Sequence, residues 1–153
     1  MVRIGVISDT HGLMRVEALA QLAASDFIIH GGDIGGQDIL DRLGAIAPVT
    51  AVRGNNDQAA WANAVPETAT LQAGPIGIYA IHEIALLPFN IAGRGVQVVV
   101  YGHSHRPLIE TRAGVLFLNP GSAGPRRFKL PVSVAELLVD GGKVSARIID
   151  LTL

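Results

Sequence analysis

The sequence predicts an α/β fold in which parallel strands alternate with helices and are followed by β-hairpins. Short apolar runs and helical patterns alternate through the first third of the chain, with short connections between them. This alternation is typical of βαβ units, whose strands pair in parallel. Paired strand patterns separated by glycine-containing turns dominate the remainder. We expect one domain over residues 1–153, because a chain of this length can bury a substantial core.

The first third contains three predicted strands and two predicted helices. Each apolar run ends in a polar, glycine-containing loop, which is typical of a buried strand that stops at a turn. The predicted helix over 13–24 is rich in Ala and Leu, and the one over 38–47 places its apolar residues on one face. The predicted strands cover residues 2–7, 27–29 and 49–52.

The second part of the chain is predicted to be mostly strand. Hairpin turns are indicated at Gly74-Pro75, at Ala113-Gly114 and over residues 140–143, where two glycines follow an aspartate. A short stretch near 86–92 is interpreted as helical, although Pro88 weakens that interpretation. The predicted strands are 68–72, 76–81, 96–101, 108–112, 115–118, 132–139 and 144–151.

Composition and charge exclude several classes of protein. The net charge is −1 and no basic block occurs, which argues against a nucleic-acid groove. The chain has no cysteine, so any metal site must use His, Asp, Asn or Glu. No apolar stretch reaches the roughly 18 residues of a membrane span, and no signal-peptide pattern opens the sequence. We therefore expect a cytoplasmic protein with no membrane partner.

Five loops share one design, since each follows a predicted strand and presents a side chain that can bind a metal. Taken alone, Asp9 would be interpreted as a helix cap. The pattern recurs, however, at separations of 24, 22, 27 and 21 residues, and four of the five histidines lie in these loops. Because loops at the carboxyl ends of parallel strands gather at one edge, we expect these side chains to converge on a metal site. The candidate ligands are Asp9, His11, Asp33, Asn55, His82, His103 and His105.

The order of these motifs resembles that of the calcineurin-like metallophosphoesterases. The matching motifs are Asp9-x-His11, Gly32-Asp33, Gly54-Asn55, His82 and Gly102-His103-x-His105. The chain is most similar to the small YfcE-like phosphodiesterase branch of bacteria and archaea. The resemblance runs from Val2 to about Ser122 and includes the late loop over residues 119–122. It implies a four-layer α/β/β/α sandwich of two mixed β-sheets flanked by helices.

The resemblance also implies two divalent metal ions bridged by Asp33. The other ligands then form a first and a second set: Asp9, His11 and His105, and Asn55, His82 and His103. The implied activity is a phosphodiesterase or a related phosphoesterase, in which a hydroxide shared by both metals attacks a small phosphate ester in line. Asp33, Asn55 and His103 are the implied catalytic residues. Imidazole ligands favour manganese, iron, cobalt, nickel or zinc over magnesium. Of these metals, manganese is the first expectation.

Two residues depart from the family pattern. Asn56 stands where many members of the superfamily have a histidine that protonates the leaving oxygen, and where the YfcE-like branch commonly has cysteine. An amide cannot deliver a proton at neutral pH, so we expect esters with acidic leaving groups to react best. Glu83 stands where the family usually has glycine after the ligand His82. It could support a ligand, bind a metal itself, repel substrate or only be solvated.

The alternative function is a catalytically weak, protein-binding scaffold of the same fold, similar to retromer's small subunit. The complete ligand set argues against it, because a pure scaffold has no need of seven metal ligands.

Three further residues are given roles on weaker grounds. His30 is predicted either to orient Asp33 or to be a hydrogen-bonded core histidine. The bulky side chains of Trp61 and Phe89 are expected to pack within the fold, with a homo-oligomer contact or a lid as the other interpretations.

Overall fold

The computed structural model describes residues 1–153 and confirms the sandwich of two mixed sheets. Its α-helices are α1 (Val16–Leu22) and α2 (Gln37–Gly44). Short 3₁₀ helices cover Ala60–Ala64, Ile84–Leu86 and Ile91–Arg94. The strands are β1 (Val2–Ile7), β2 (Phe27–His30), β3 (Val49–Ala51), β4 (Thr68–Ala73), β5 (Ile76–Ile81), β6 (Val98–Val100), β7 (Leu108–Arg112), β8 (Val115–Asn119), β9 (Ser133–Asp140) and β10 (Lys143–Asp150).

The first sheet has the strand order β10-β9-β1-β2-β3. Strands β1, β2 and β3 are parallel, as the βαβ pattern predicts, with Ile4 opposite Phe27 at the start of the β1–β2 ladder. The C-terminal hairpin of β9 and β10 joins this sheet, because β9 pairs antiparallel with β1 and places Val139 opposite Val2. The two ends of the chain therefore complete the same sheet.

The second sheet has the strand order β4-β5-β6-β8-β7. Its three central strands, β5, β6 and β8, are parallel. The outer strands β4 and β7 each pair antiparallel with the strand that follows them in sequence, which confirms the predicted hairpins at Gly74 and Gly114. Both sheets thus have a parallel part whose strand ends can contribute to a site.

Besides a smaller third cluster on the outer side of the second sheet, two apolar clusters hold the layers together. One lies between the sheets, where alternate residues of each strand face inward, and includes Ile4, Val6, Ile29, Ile78, Val98, Val100, Leu118 and Leu137. The other lies between the first sheet and its helices and includes Ile7, Ala18, Leu22, Ile28, Ile39 and Leu43. Each fully buried aliphatic side chain stabilises the fold by about 1.5–3 kcal/mol.

The structure corrects several predicted element bounds. Helix α1 begins at Val16 and not at residue 13, because the backbone turns at His11 (φ 47°) and Gly12 (φ 84°) before it can enter the helix. The stretch near 86–92 forms no α-helix; two 3₁₀ helices flank Pro88, which lacks the amide that an α-helix would need. The outer layer on the second sheet therefore consists of short 3₁₀ segments.

The expectation that both large aromatics pack is confirmed for Trp61 and wrong for Phe89. Trp61 packs against the cluster between the first sheet and its helices. Phe89 is fully exposed, because it follows Pro88 in the loop between two 3₁₀ helices. Neither α-helix nor any 3₁₀ segment has the length and hydrophobicity needed to cross a membrane.

Candidate metal centre

The structure brings all seven predicted ligand side chains together at one edge of the sandwich. Loops after β1, β2 and β3 of the first sheet supply four of them, and loops after β5 and β6 of the second sheet supply three. Every one of these strands runs parallel to its ligand-bearing neighbour. The prediction that these loops converge is therefore confirmed, although the sequence did not reveal that two sheets share the site.

A first group of potential ligand atoms comes from Asp9, His11 and His105, which all lie within 4.8 Å of one another. The Nε2 atoms of the two histidines are 3.3 Å apart, and Asp9 Oδ1 lies 3.4 Å from His105 Nε2. Ligand atoms about 2.1 Å from a common ion, at an angle near tetrahedral, are about 3.4 Å apart. The spacing thus fits a metal ion at the centre of this group.

A second group comes from Asp33, His82 and His103, again within 4.8 Å of one another. His82 Nε2 lies 3.3 Å from Asp33 Oδ2. Asn55 joins the group through its Oδ1 atom, which is 3.2 Å from His103 Nδ1. The division into two sets matches the one that the family resemblance implies.

Asp33 and Asp9 connect the two groups. Asp33 Oδ2 lies 3.7 Å from His11 Nε2 of the first group and 3.3 Å from His82 Nε2 of the second. Asp9 Oδ1 lies 4.0 Å from His82 Nε2. Asp33 is therefore positioned to contact ions in both groups, which a two-oxygen carboxylate can do.

Two of the buried ligand atoms lack a hydrogen-bond partner. Asp9 Oδ1 and His82 Nε2 are both inaccessible to solvent and unpaired within the protein. His82 Nδ1 lies 2.7 Å from the carbonyl oxygen of Gly31, which can only accept, so we assign the proton to Nδ1. In the neutral ring, Nε2 then directs a lone pair towards the Asp33 carboxylate. Two acceptors that face each other in a buried site fit a cation between them.

Backbone strain is concentrated at the ligands. Seven non-glycine residues have positive φ angles, and five of them are candidate ligands. This left-handed conformation costs about 1–3 kcal/mol at a strained position and clusters at functional sites. It is not visible in the sequence, because none of the five is a glycine. The residues are Asp9 (56°), His11 (47°), Asp33 (55°), His103 (75°) and His105 (63°).

Glycine precedes three of the candidate ligands, at positions 32, 54 and 102, because a Cβ would not fit at these positions. A Cβ at Gly54 would collide with the carboxylate of Asp33. A Cβ at Gly102 would collide with the hydroxyl of Ser8 and approach Asp9 Oδ2 to 2.7 Å. The glycines of these motifs thus allow loops from different strands to meet.

Neighbouring polar groups hold the two aspartates in place. Ser8 donates its hydroxyl to Asp9 Oδ2 at 2.7 Å, and the backbone amide of His103 donates to the same atom at 3.2 Å. The backbone and side-chain amides of Asn56 donate to the two oxygens of Asp33. Sequence reasoning did not single out Ser8; its only signal is a small polar residue where the apolar run of β1 ends.

His30 is completely buried and links two ligand loops. Its Nδ1 accepts a hydrogen bond from the amide of Gly32 at 3.1 Å, so Nε2 carries the proton and donates to Thr10 Oγ1 at 3.0 Å. Thr10 in turn donates to the carbonyl of Ile34 at 2.7 Å. Burial lowers the pKa of His30 from 6.5 to about 4, although nearby aspartates oppose the shift. His30 is thus a neutral core histidine that also positions the loops of Asp9 and Asp33.

Asp33 and His82 shift each other's pKa in opposite directions. Burial alone would raise the pKa of Asp33, but interaction with His82 and the amide of Asn56 lowers it to about 2. Burial alone would lower the pKa of His82, but Asp33 and the carbonyl of Gly31 raise it above its ordinary value. The carboxylate is therefore held in the charged form that a cation needs.

A cavity of about 330 Å³ adjoins the second group. It lies between the loop after β3, the start of β4 and the end of β5. The candidate ligands Asn55 and His82 form part of its wall, so a molecule in this cavity would reach the candidate metal centre. Its lining residues are Arg53, Gly54, Asn55, Glu67, Thr68, Ile81, His82, Glu83 and Leu86.

Comparison with known proteins identifies the family. Residues 2–142 match the calcineurin-like phosphoesterase superfamily domain. The chain belongs to this superfamily. The chain is 36% identical to a probable metallophosphoesterase of Methanocaldococcus jannaschii. The alignment is 161 residues long including gaps, and it covers 97% of this chain and 81% of the relative. The family resemblance predicted from the motifs is thus confirmed.

Solved structures agree on the fold. The metallophosphoesterase superposes on vacuolar protein sorting 29 from Cryptosporidium parvum with a TM-score of 0.84 at 24% identity, covering 99% of this chain and 92% of the other. It superposes on a structure described as a novel archaeal phosphodiesterase with a TM-score of 0.79 at 20% identity, covering 97% and 100% of the two chains. At these identities the likeness shows the fold alone.

Proposed function

We propose that this metallophosphoesterase is a phosphodiesterase that uses two divalent metal ions bridged by Asp33. One observation carries the proposal: the two groups of ligand atoms adjoin, since Asp33 of the second lies 3.7 Å from His11 of the first, and both groups contain a buried atom without a hydrogen-bond partner. A single cluster would fit many metal proteins, whereas two that share a carboxylate fit the dinuclear centres of phosphoester hydrolases.

The exposure of the ligands indicates where substrate binds. Asp9 and His105 are almost completely buried, whereas about half of the His103 side chain is exposed and Asn55 is exposed beside it. When bound, divalent metals polarise a phosphoryl oxygen and lower the pKa of water. His103 and Asn55 lie at the open side of the centre, so they are the ligands placed to contact the phosphoryl group and to stabilise its developing charge.

The cavity favours a diester as substrate, and the residue at position 56 favours an acidic leaving group. The adjoining cavity of about 330 Å³ has room for a second ester substituent next to Asn55. Asn56, which stands where many members of the superfamily have a proton donor, donates its side-chain amide to Asp33 and has no proton to transfer to a leaving group. A diester whose leaving group needs no proton therefore suits the site best.

Several finer expectations remain predictions. Manganese suits the mixed set of carboxylate, amide and imidazole ligands, as do iron, zinc, nickel and cobalt. A single domain over residues 1–153, a cytoplasmic location and a homo-oligomer contact are likewise predictions from the sequence.

The test is hydrolysis of bis(p-nitrophenyl) phosphate with added manganese. We expect turnover by the wild type and a loss of at least about 100-fold in Asp33→Asn and His103→Ala, since each variant removes a ligand. Bound metal should be measured in all three proteins. Wild-type activity in each of the two single variants would indicate a contaminating enzyme and would contradict the proposal.

The alternative is the catalytically weak scaffold of the same fold. The high TM-score with vacuolar protein sorting 29 is compatible with it but concerns the fold alone. No turnover by the wild type at saturating metal, with the metal demonstrably bound, would favour the scaffold over the enzyme.

A further inference from the structure

We propose that Glu83 makes the site selective for phosphodiesters over phosphomonoesters, by placing an uncompensated carboxylate where the cavity meets the second metal group. This inference rests on the proposed function and specifies its substrate class. It decides among the roles that the sequence left open for Glu83.

Glu83 lies at the edge of the metal centre. It directly follows the ligand His82 at the end of β5, and its Oε1 atom is 4.0 Å from Nδ1 of His103. Its side chain is one-third exposed and lines the adjoining cavity. Glu83 is not among the three residues whose ligand atoms cluster within 4.8 Å in the second group. Its carboxylate therefore stands beside that group, on the side from which the cavity opens.

The carboxylate of Glu83 has no lysine or arginine partner. The other two charged residues of the cavity, Arg53 and Glu67, pair with each other at 3.0 Å. No lysine or arginine lies within 4.0 Å of the Glu83 carboxylate, whose one ion-pair distance is to His103. The side chain of Glu83 does not turn away into solvent but lines the cavity. The wall of the cavity consequently carries one unpaired negative charge.

The effect of that charge depends on the charge of the substrate. A phosphodiester carries one negative charge, whereas a phosphomonoester carries nearly two above about pH 7. The additional charge of the monoester resides on an oxygen that takes the place of the second ester group. If the second ester group of a diester occupies the cavity, the monoester oxygen faces Glu83 there. At a separation of a few ångströms in a partly solvated site, this repulsion corresponds to about tenfold in binding.

The cavity itself accepts a neutral substituent. Its lining includes the side chains of Ile81 and Leu86 together with Thr68. An uncharged ester group can contact these residues without meeting a penalty from Glu83. The space in the cavity and the charge of Glu83 therefore both favour phosphodiesters over phosphomonoesters.

The test compares two substrates with the same p-nitrophenolate leaving group. We expect the ratio of kcat/KM for bis(p-nitrophenyl) phosphate to that for p-nitrophenyl phosphate to fall about tenfold in Glu83→Gln, measured at about pH 8. Glutamine keeps the size and hydrogen-bonding capacity of the side chain and removes only its charge. The matched control is Glu110→Gln, on β7 away from the cavity, which should leave the ratio unchanged.

A binding measurement tests the inference without turnover. Calorimetry of the manganese-loaded protein should show inorganic phosphate binding about tenfold more tightly to Glu83→Gln than to the wild type. Metal content should be equal in the two proteins. A loss of metal from Glu83→Gln would overturn the inference in favour of Glu83 as a ligand.

The outcomes separate this inference from the proposed function. An unchanged substrate ratio together with unchanged phosphate affinity would overturn the role of Glu83 and leave the phosphodiesterase intact. A wild type that hydrolyses neither substrate would overturn the proposed function. The phosphate affinities would then still support or overturn the electrostatic role of Glu83.

Discussion

Asn56 holds the carboxylate of Asp33 with two hydrogen bonds, one to each oxygen atom. The backbone amide of Asn56 donates to Oδ1 at 2.9 Å, and its side-chain amide donates to Oδ2 at 3.1 Å. Each carboxylate oxygen keeps a further lone pair, which remains free for a cation. Asn56 therefore orients the proposed bridging ligand and does not take the place of a proton donor.

The first prediction concerns this orientation. Asn56→Ala removes the side-chain bond to Asp33, and we expect metal affinity or kcat/KM to fall about 10- to 100-fold, as is typical when a partner of a metal ligand is lost. Isothermal titration with manganese and hydrolysis of bis(p-nitrophenyl) phosphate would measure the two effects. Asn63→Ala, an exposed asparagine in the 3₁₀ helix Ala60–Ala64, is the matched control. Equal losses in both variants would contradict the positioning role.

The second prediction concerns the leaving group. Because the Asn56 amide is engaged with Asp33 and carries no transferable proton, departure of an alkoxide is unassisted at this position. We expect aryl phosphodiesters to be hydrolysed much faster than dialkyl phosphodiesters, by at least about 100-fold in kcat. Hydrolysis of dimethyl phosphate, followed by chromatography, and of bis(p-nitrophenyl) phosphate, followed by colorimetry, would give the ratio of the two kcat values. Similar rates for both would show that another group supplies the proton.

The third prediction concerns metal removal. An ion that binds only the folded state at about 100 times its Kd adds about 2.7 kcal/mol to the free energy of unfolding. For a chain of this size, chelation should lower the Tm by about 5–10 °C, and added manganese should restore it. Differential scanning calorimetry with and without chelator measures the shift. In Asp33→Asn the Tm with and without chelator should be nearly the same. A wild-type Tm that does not change with chelator would contradict the metal centre.

The fourth prediction concerns pH and His30. The pKa of His30 is about 4 in the folded protein and 6.5 as its ordinary value, so the unfolded state binds the proton more readily. The stability due to neutral His30 is complete above about pH 6.5 and is lost as the pH falls towards 4. Between about pH 7 and pH 5 the free energy of unfolding should fall by about 2 kcal/mol on account of His30.

Urea unfolding of the metal-free protein at several pH values measures this contribution. Removing the metal keeps pH-dependent metal loss from adding to the result. We expect the free energy of unfolding to decline more steeply with falling pH in the wild type than in His30→Gln. Glutamine keeps a donor and an acceptor for Thr10 and Gly32 but does not titrate. Parallel pH profiles would contradict the burial of a neutral histidine at this position.

Much of the fold was predictable because its signals are local. The apolar runs before Asp9 and Asp33 have strand length, and the turns at Gly74 and Gly114 have hairpin composition. The bounds of α1 were less predictable, since the backbone at His11 and Gly12 follows from the meeting of loops at the metal centre. Propensity favoured an earlier helix start, and tertiary contacts overrode it.

By itself the sequence determined which residues are the candidate ligands and that they follow strands, because residue type and strand periodicity are properties of the chain alone. Only the tertiary structure decided what each side chain faces. It directs Asn56 towards Asp33, places Glu83 beside His103 and holds the ligands at positive φ. The contact between Asn56 and Asp33 joins two loops of the first sheet, and the contact between Glu83 and His103 joins two loops of the second, each across 20 or more residues of sequence. Such contacts depend on which strands pair within each sheet and on the register of that pairing, and a one-dimensional pattern does not contain that information.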